Sequence, residues 1–199
     1  MRLRLTPILS LAVLATGLSA YADAKLANIF TDHMVLQRDQ KLPVWGWATA
    51  GEKVSVQIDD KAAVATTADA NGKWRIELPA MPTGGTHTLT VKANNTITLS
   101  DILLGDVWLC SGQSNMEWVV ANSLNAQQEI AAANLPNIRH IKIPLTTAST
   151  PKDTFTASWQ NCAPQTVGGF TAAGFFMARK LSQDLGVPIG LINSSWGGT

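Results

Sequence analysis

Between residues 25 and 100 the chain alternates between apolar and polar positions. Val54, Val56 and Ile58 stand between polar neighbours, and so do Trp74, Ile76 and Leu78. A period of two places one side of each segment against a core, which predicts strands. On this pattern strands are expected at 34–37, 44–48, 53–58, 62–67, 73–78, 86–92 and 96–100. Turn signals separate them: Ala50-Gly51-Glu52, Asp59-Asp60-Lys61, Asn71-Gly72, Gly84-Gly85 and Asn94-Asn95. Strands about ten residues apart, with no helical pattern between them, predict an antiparallel sandwich. Trp45 and Trp47 share a face of their strand and are expected in the apolar core with Trp74. A sugar-binding platform is the alternative reading of the three indoles.

The pattern changes near Asp101. An apolar run covers 102–110, and helix-like spacing then begins at Met116, Trp118, Val119, Val120 and Ala121. Residues 125–134 predict a helix with Asn125 as N-cap and Gln128 three positions on, the form of a capping box. Residues 138–143 predict a strand with Ile138, His140 and Lys142 on one side. Residues 144–158 are rich in Thr and Ser and predict a long loop. Residues 171–185 predict a helix with Phe175, Ala178, Leu181 and Leu185 on one stripe, closed by Gly186 and Pro188. A short buried strand is expected at 189–193. Strands alternating with helices predict a parallel sheet covered by helices. Right-handed crossovers make strands 102–110, 138–143 and 189–193 run the same way, with their carboxyl ends on one edge. Ligands of open α/β sheets bind at that edge. The predicted fold is therefore two-domain: an antiparallel β-sandwich over 23–100, then the start of a three-layer α/β parallel sheet over 101–199.

The 199 residues suffice for one large or two small domains, and a formal charge of +1 argues against nucleic acid as a partner. Residues 1–22 read as a signal peptide. Arg2 and Arg4 precede an apolar core from Ile8 to Leu18, and Ala20-Tyr21-Ala22 fits the small-x-small cleavage pattern. Its removal would take the charge from +1 to about −1. No other apolar run is long enough to span a membrane. Export, to a bacterial periplasm or beyond, is the expectation. That compartment permits a Cys110–Cys162 disulfide, while a buried thiol at Cys110 is the plainer reading. Neither cysteine has a partner at zinc-finger spacing, so no metal site is expected.

The chemistry gathers at Gly105-Asp106-Val107-Trp108-Leu109-Cys110-Ser111-Gly112-Gln113-Ser114-Asn115-Met116. A serine on a tight turn between a buried strand and a helix is where hydrolytic enzymes hold a nucleophile. Unpaired N–H groups opening the helix can face an oxyanion. Ser114 as a simple N-cap is the competing reading. The G-x-S-x-G elbow is absent, since position 116 is Met. Gly197 and Gly198 follow the third parallel strand and reach the same edge, where their lack of a Cβ lets a substrate oxygen approach. Of the histidines, His33 and His87 fall in the β region and His140 inside a strand, so none is well placed as a base. Asp106, on the strand well before the turn, is expected to make a structural hydrogen bond. Glu117 is expected to complement the dipole of the helix's first turn. Asn94-Asn95-Thr96 and Asn193-Ser194-Ser195 match glycosylation acceptors.

Leu104 to Met116 resembles the nucleophile block of the SGNH hydrolase superfamily in its Gly-Gln-Ser-Asn-Met form, and within it the sialate O-acetylesterase family. Ile189-Gly190-Leu191-Ile192-Asn193-Ser194-Ser195-Trp196-Gly197-Gly198-Thr199 resembles that family's second block. Phe170 to Phe176 resembles the helix before it, and Ala27 to Gln37 the start of its β region. The resemblance implies Ser114 as nucleophile, and the Ser114 N–H with a glycine of the second block, Gly197 or else Gly198, as oxyanion hole. It implies Gln113, Asn115 and Trp196 beside the substrate, an acetylated carbohydrate. Sialic acid is the implied sugar, acetylated xylan the alternative, and no cofactor is implied. The family's third block and its late Asp and His have no match before Thr199, so an N-terminal portion of a longer enzyme is expected, inactive by itself. A non-catalytic carbohydrate-binding β-sandwich is the rival of a different class.

Overall fold

A computed structural model describes residues 23–198. The expected signal peptide, 1–22, and Thr199 lie outside the described residues. The strands are β1 (Lys25–Leu26), β2 (Val35–Gln37), β3 (Leu42–Trp47), β4 (Lys53–Ile58), β5 (Val64–Thr67), β6 (Lys73–Leu78), β7 (His87–Lys92), β8 (Thr96–Cys110), β9 (Leu135–Lys142), β10 (Gln160–Cys162) and β11 (Ile189–Asn193). The helices are α1 (Ser114–Glu117), α2 (Ala126–Ala132) and α3 (Ala172–Leu185).

Two sheets result, the smaller antiparallel and the larger mixed. One has the order β1-β3-β6, the other β10-β9-β11-β8-β7-β4-β5, with β2 alongside β8. Strands β8, β9 and β11 are parallel, as the crossover argument requires. Val44, Trp74, Ile76 and Leu78 of the small sheet share one core with Val54, Val56, Ile58, Leu89 and Val91 of the large one. A second core forms where Phe175 and Ala178 of α3 pack with Ile138, Ile189 and Leu191. Ile141 and Trp159 belong to the first core, so the parallel strands are buried on both sides, as parallel sheets require.

No break falls at Asp101. The strand expected at 96–100 and the run at 102–110 are one fifteen-residue strand, β8, with its first part on β7 and its last on β11. Asp101 takes a left-handed φ of 54° within it. Aspartate tolerates that conformation better than most residues, and here its side chain is gripped. Arg139, buried, donates to Asp101 Oδ2 at 2.9 Å and Oδ1 at 3.1 Å, and His33 Nδ1 lies 2.6 Å from Oδ2. The Arg139 guanidinium, seconded by His33, holds the Asp101 carboxyl below its usual range. Further along, Gly105 lets β8 pass against Pro188: a Cβ there would meet the Pro188 carbonyl oxygen at 2.0 Å. Asp106 makes the expected structural contact, accepting from Arg38 Nε at 2.9 Å.

Three expectations fail. Trp74 is core, but Trp45 is 37% exposed and Trp47 half-buried. The parity of β3 is the reverse of the one assumed: Leu42, Val44 and Gly46 face inward. The helix after Ser114 lasts one turn. Trp118 O accepts from Ala172 N–H at 2.8 Å and Val120 N–H donates to Phe170 O at 3.1 Å, so bonds to the approach of α3 replace the next helical turn. Asn125 does precede α2, but with a left-handed φ of 57° and no side-chain cap, so the capping box does not form.

Candidate active site

The registers of β8, β11 and β9 bring Cys110, Asn193 and Lys142 into one row at the carboxyl edge of the parallel strands. Ser114 and Gly197 each lie four residues beyond a member of that row. The two loops are stitched together: Ser194 N–H donates to Cys110 O at 2.9 Å, and Trp196 N–H to Gly112 O at 2.9 Å. Gly112, with φ of 130°, makes the turn that a side chain would resist. The strand register thus puts Gly197 directly against the serine. A Cβ on Gly197 would stand 3.2 Å from Ser114 Oγ and 3.5 Å from its Cα.

Ser114 is exposed, and among the described residues its hydroxyl has no hydrogen-bond partner. It lines a shallow depression of ≈ 260 Å³ with Glu117, Trp118, Val119 and Asn122. Gln113 and Asn115 are exposed beside it, and Trp196 is half-buried in the facing loop. Gly198 is exposed with φ of 79°.

A polar relay unforeseen from the sequence fixes the facing loop. Gly197 N–H donates to Glu117 Oε2 at 2.6 Å. Glu117 Oε1 lies 3.7 Å from Lys142 Nζ, which donates to Ser195 O at 2.6 Å. Ser195 Oγ, fully buried, donates to Asn193 Oδ1 at 2.6 Å. Glu117 therefore does more than answer a helix dipole: it grips the backbone of the glycine loop, and the Gly197 N–H is bonded to it. The available signals were Glu117 three residues after Ser114, hence on the same side of one helical turn, and Lys142 on the outgoing end of a parallel strand. Asn193 is buried and bonded within this relay, so it is no glycan acceptor.

The three histidines are engaged elsewhere. His33 meets Asp101 and His87 meets Asp59, each at 2.6 Å. His140 is buried and stacked on Phe170 with ring centroids 4.4 Å apart. Burial, aided by the charge of Lys142, pushes its pKa down to about 4. Cys110 and Cys162 are separate buried thiols rather than a disulfide. Burial raises both, Cys162 to about 11. Among the described residues no helix is long and apolar enough to cross a membrane.

The fold is similar to that of a carbohydrate acetylesterase. The chain superposes on one from Xanthomonas citri with a TM-score of 0.85 and 40% identity, over 89% of this chain and 41% of that one. The chain is a homologue of the sialate O-acetylesterases. It is 31% identical to that of Mus musculus over 212 residues, covering 96% of this chain and 39% of the mouse protein. It is 32% identical to that of Rattus norvegicus over 195 residues, covering 88% and 36% respectively. No protein-family model matches the chain. It thus spans less than two fifths of the length of these relatives.

Proposed function

We propose that this chain is the nucleophile-bearing part of a serine esterase that removes O-acetyl groups from carbohydrate, with sialic acid the preferred sugar and acetylated xylan the alternative. The observation that carries the reading is the contact of Gly197 with Ser114. It joins the two sequence blocks at the edge where open α/β sheets bind ligands. Ser114 Oγ attacks the acetyl carbonyl. Its proton passes to a histidine supplied, with its orienting Asp, by polypeptide beyond Thr199, since a serine needs a base to react at neutral pH. The Ser114 N–H, unpaired at the start of its turn, meets the oxyanion. The Gly197 N–H joins it when Glu117 swings aside, and the Gly198 N–H is the alternative second donor. An acetyl-enzyme forms, and water releases acetate.

The same reading takes residues 1–22 as an export signal and the enzyme as periplasmic or secreted. Ser114→Ala in the full-length enzyme should lower acetate release from O-acetylated sialic acid by at least about a thousandfold. Normal turnover in that variant would overturn the assignment.

A further inference from the structure

The outer side of the β1-β3-β6 sheet carries Trp45, which is exposed, and Trp47, half-buried against the first core. Trp45 and Trp47 project from β3 away from the buried Val44 and Gly46. Across β6, Trp45 is opposite Arg75 and Trp47 opposite Lys73, while Lys25 of β1 is opposite Trp47 on its other side. Directly opposed residues of antiparallel strands share a face. This face therefore holds two indoles bordered by three cations. The Trp45 ring is held edge-on by Phe30, with centroids 4.6 Å apart at 78°. Both indoles, Lys73 and Arg75 line one open depression of ≈ 300 Å³.

An exposed indole with a half-buried one two residues along the same strand forms an apolar patch of the kind that marks a binding surface. The charges around them narrow its ligand. Lys73 pairs with Asp153 at 3.0 Å and Arg75 with Glu77 at 3.6 Å, all four side chains about half exposed or more. Solvated pairs of this kind are weak, so an arriving carboxylate can replace Asp153 or Glu77. Asp69, also at the rim, is already committed, accepting from the backbone N–H groups of Asn71 and Lys73 at 2.8 Å each.

We propose that this face binds a carboxylate-bearing pyranose of a glycan, its C–H face on Trp45 and Trp47 and its carboxylate at Lys73 and Arg75. It would hold the sugar chain while Ser114 works on an acetyl group elsewhere along it. Only the identification of that chain as substrate rests on the esterase reading, because binding here needs no turnover.

The test titrates this chain with sialyllactose and, separately, with lactose, following the indole N–H resonances by NMR and affinity by calorimetry. Signals of Trp45 and Trp47 should shift saturably with sialyllactose while that of Trp159, buried, outside this depression and bonded to Ile29 O, stays in place. Lactose should bind at least tenfold more weakly. Trp45→Ala, shown folded by its thermal unfolding, should lower sialyllactose affinity at least tenfold, and Lys73→Ala with Arg75→Ala should abolish the preference for the acidic sugar. Static Trp45 and Trp47 signals in the unmutated chain, or equal affinity for the two sugars, would overturn the proposal. Loss of esterase activity in Ser114→Ala would leave this result untouched, so the two readings fail separately.

Discussion

Gly197→Ala places a methyl group where the Glu117 carboxylate already sits. The new Cβ would lie 2.6 Å from Glu117 Oε2 and 3.2 Å from Ser114 Oγ. The backbone at 197 lies outside the left-handed region, so alanine itself is not strained there. Glu117 is flexible and can swing away, so the overlap is readily relieved. The lasting cost is the hydrogen bond from Gly197 N–H and the approach to Lys142. A hydrogen bond to a charged group is worth about 1.5–3 kcal/mol. The Glu117 side chain is 32% exposed, and water recovers part of that loss. A destabilisation of about 1–2 kcal/mol is therefore expected. Urea unfolding of the wild type, Gly197→Ala, Glu117→Ala and the double variant measures it. With Glu117 already gone, the added methyl has little left to disrupt, so the double variant should fall short of the sum of the singles by about 1–2 kcal/mol. Gly198→Ala is the control: its φ of 79° costs about 1 kcal/mol in strain, with no coupling to Glu117. Additivity of Gly197→Ala and Glu117→Ala to within about 0.5 kcal/mol would refute the claim that the carboxylate holds the glycine loop.

Gly105→Ala should be far worse than Gly197→Ala, because the clash at 2.0 Å is with the Pro188 backbone carbonyl, which cannot swing away. A loss above about 3 kcal/mol, or no soluble protein, is expected, and a near-native urea midpoint would contradict the close packing of β8 on Pro188. Stability should also fall with pH in a defined window. Folding depresses the His140 pKa from 6.5 to about 4. Its contribution is therefore complete above pH 6.5 and is lost as pH falls from 6.5 towards 4, by about 3 kcal/mol in all. Asp101, lowered from 3.8, adds its own loss only below that window. His140→Gln should flatten the urea midpoint against pH between 6.5 and 4, and an undiminished slope would show that His140 is not the titrating group.

What could be read from the sequence follows from what is local. Val54, Val56 and Ile58 are buried alternately with half-exposed neighbours, and β4 and β6 have the bounds that alternation alone indicated. Parity was legible there because only one set of positions was apolar. On β3 both sets are, Leu42, Val44 and Gly46 against Trp45 and Trp47, and size alone points to the larger side chains as the inward ones. Only glycine fits at the inward position 46, because a Cβ there would meet Lys25 O at 1.9 Å, on a strand far earlier in the chain. The end of α1 was hidden for the same reason, since it is set by Phe170 and Ala172 rather than by its own residues.

The candidate site divides along this line too. That Ser114 and Gly197 meet was derivable, because parallel strands in register carry loops of equal reach to the same edge. That Glu117 takes the Gly197 N–H was not, because it needs Lys142 of a third strand to stand behind it. The same division bears on mechanism. Backbone direction brings the glycine to the serine whatever side chains surround them, whereas its donor is set by one carboxylate that a single substitution can remove. If Glu117→Ala in the full-length enzyme leaves acetate release intact or raises it, the carboxylate is a stopper on the second oxyanion donor. If kcat falls at unchanged KM, the carboxylate serves to hold the loop in the geometry that the transition state requires.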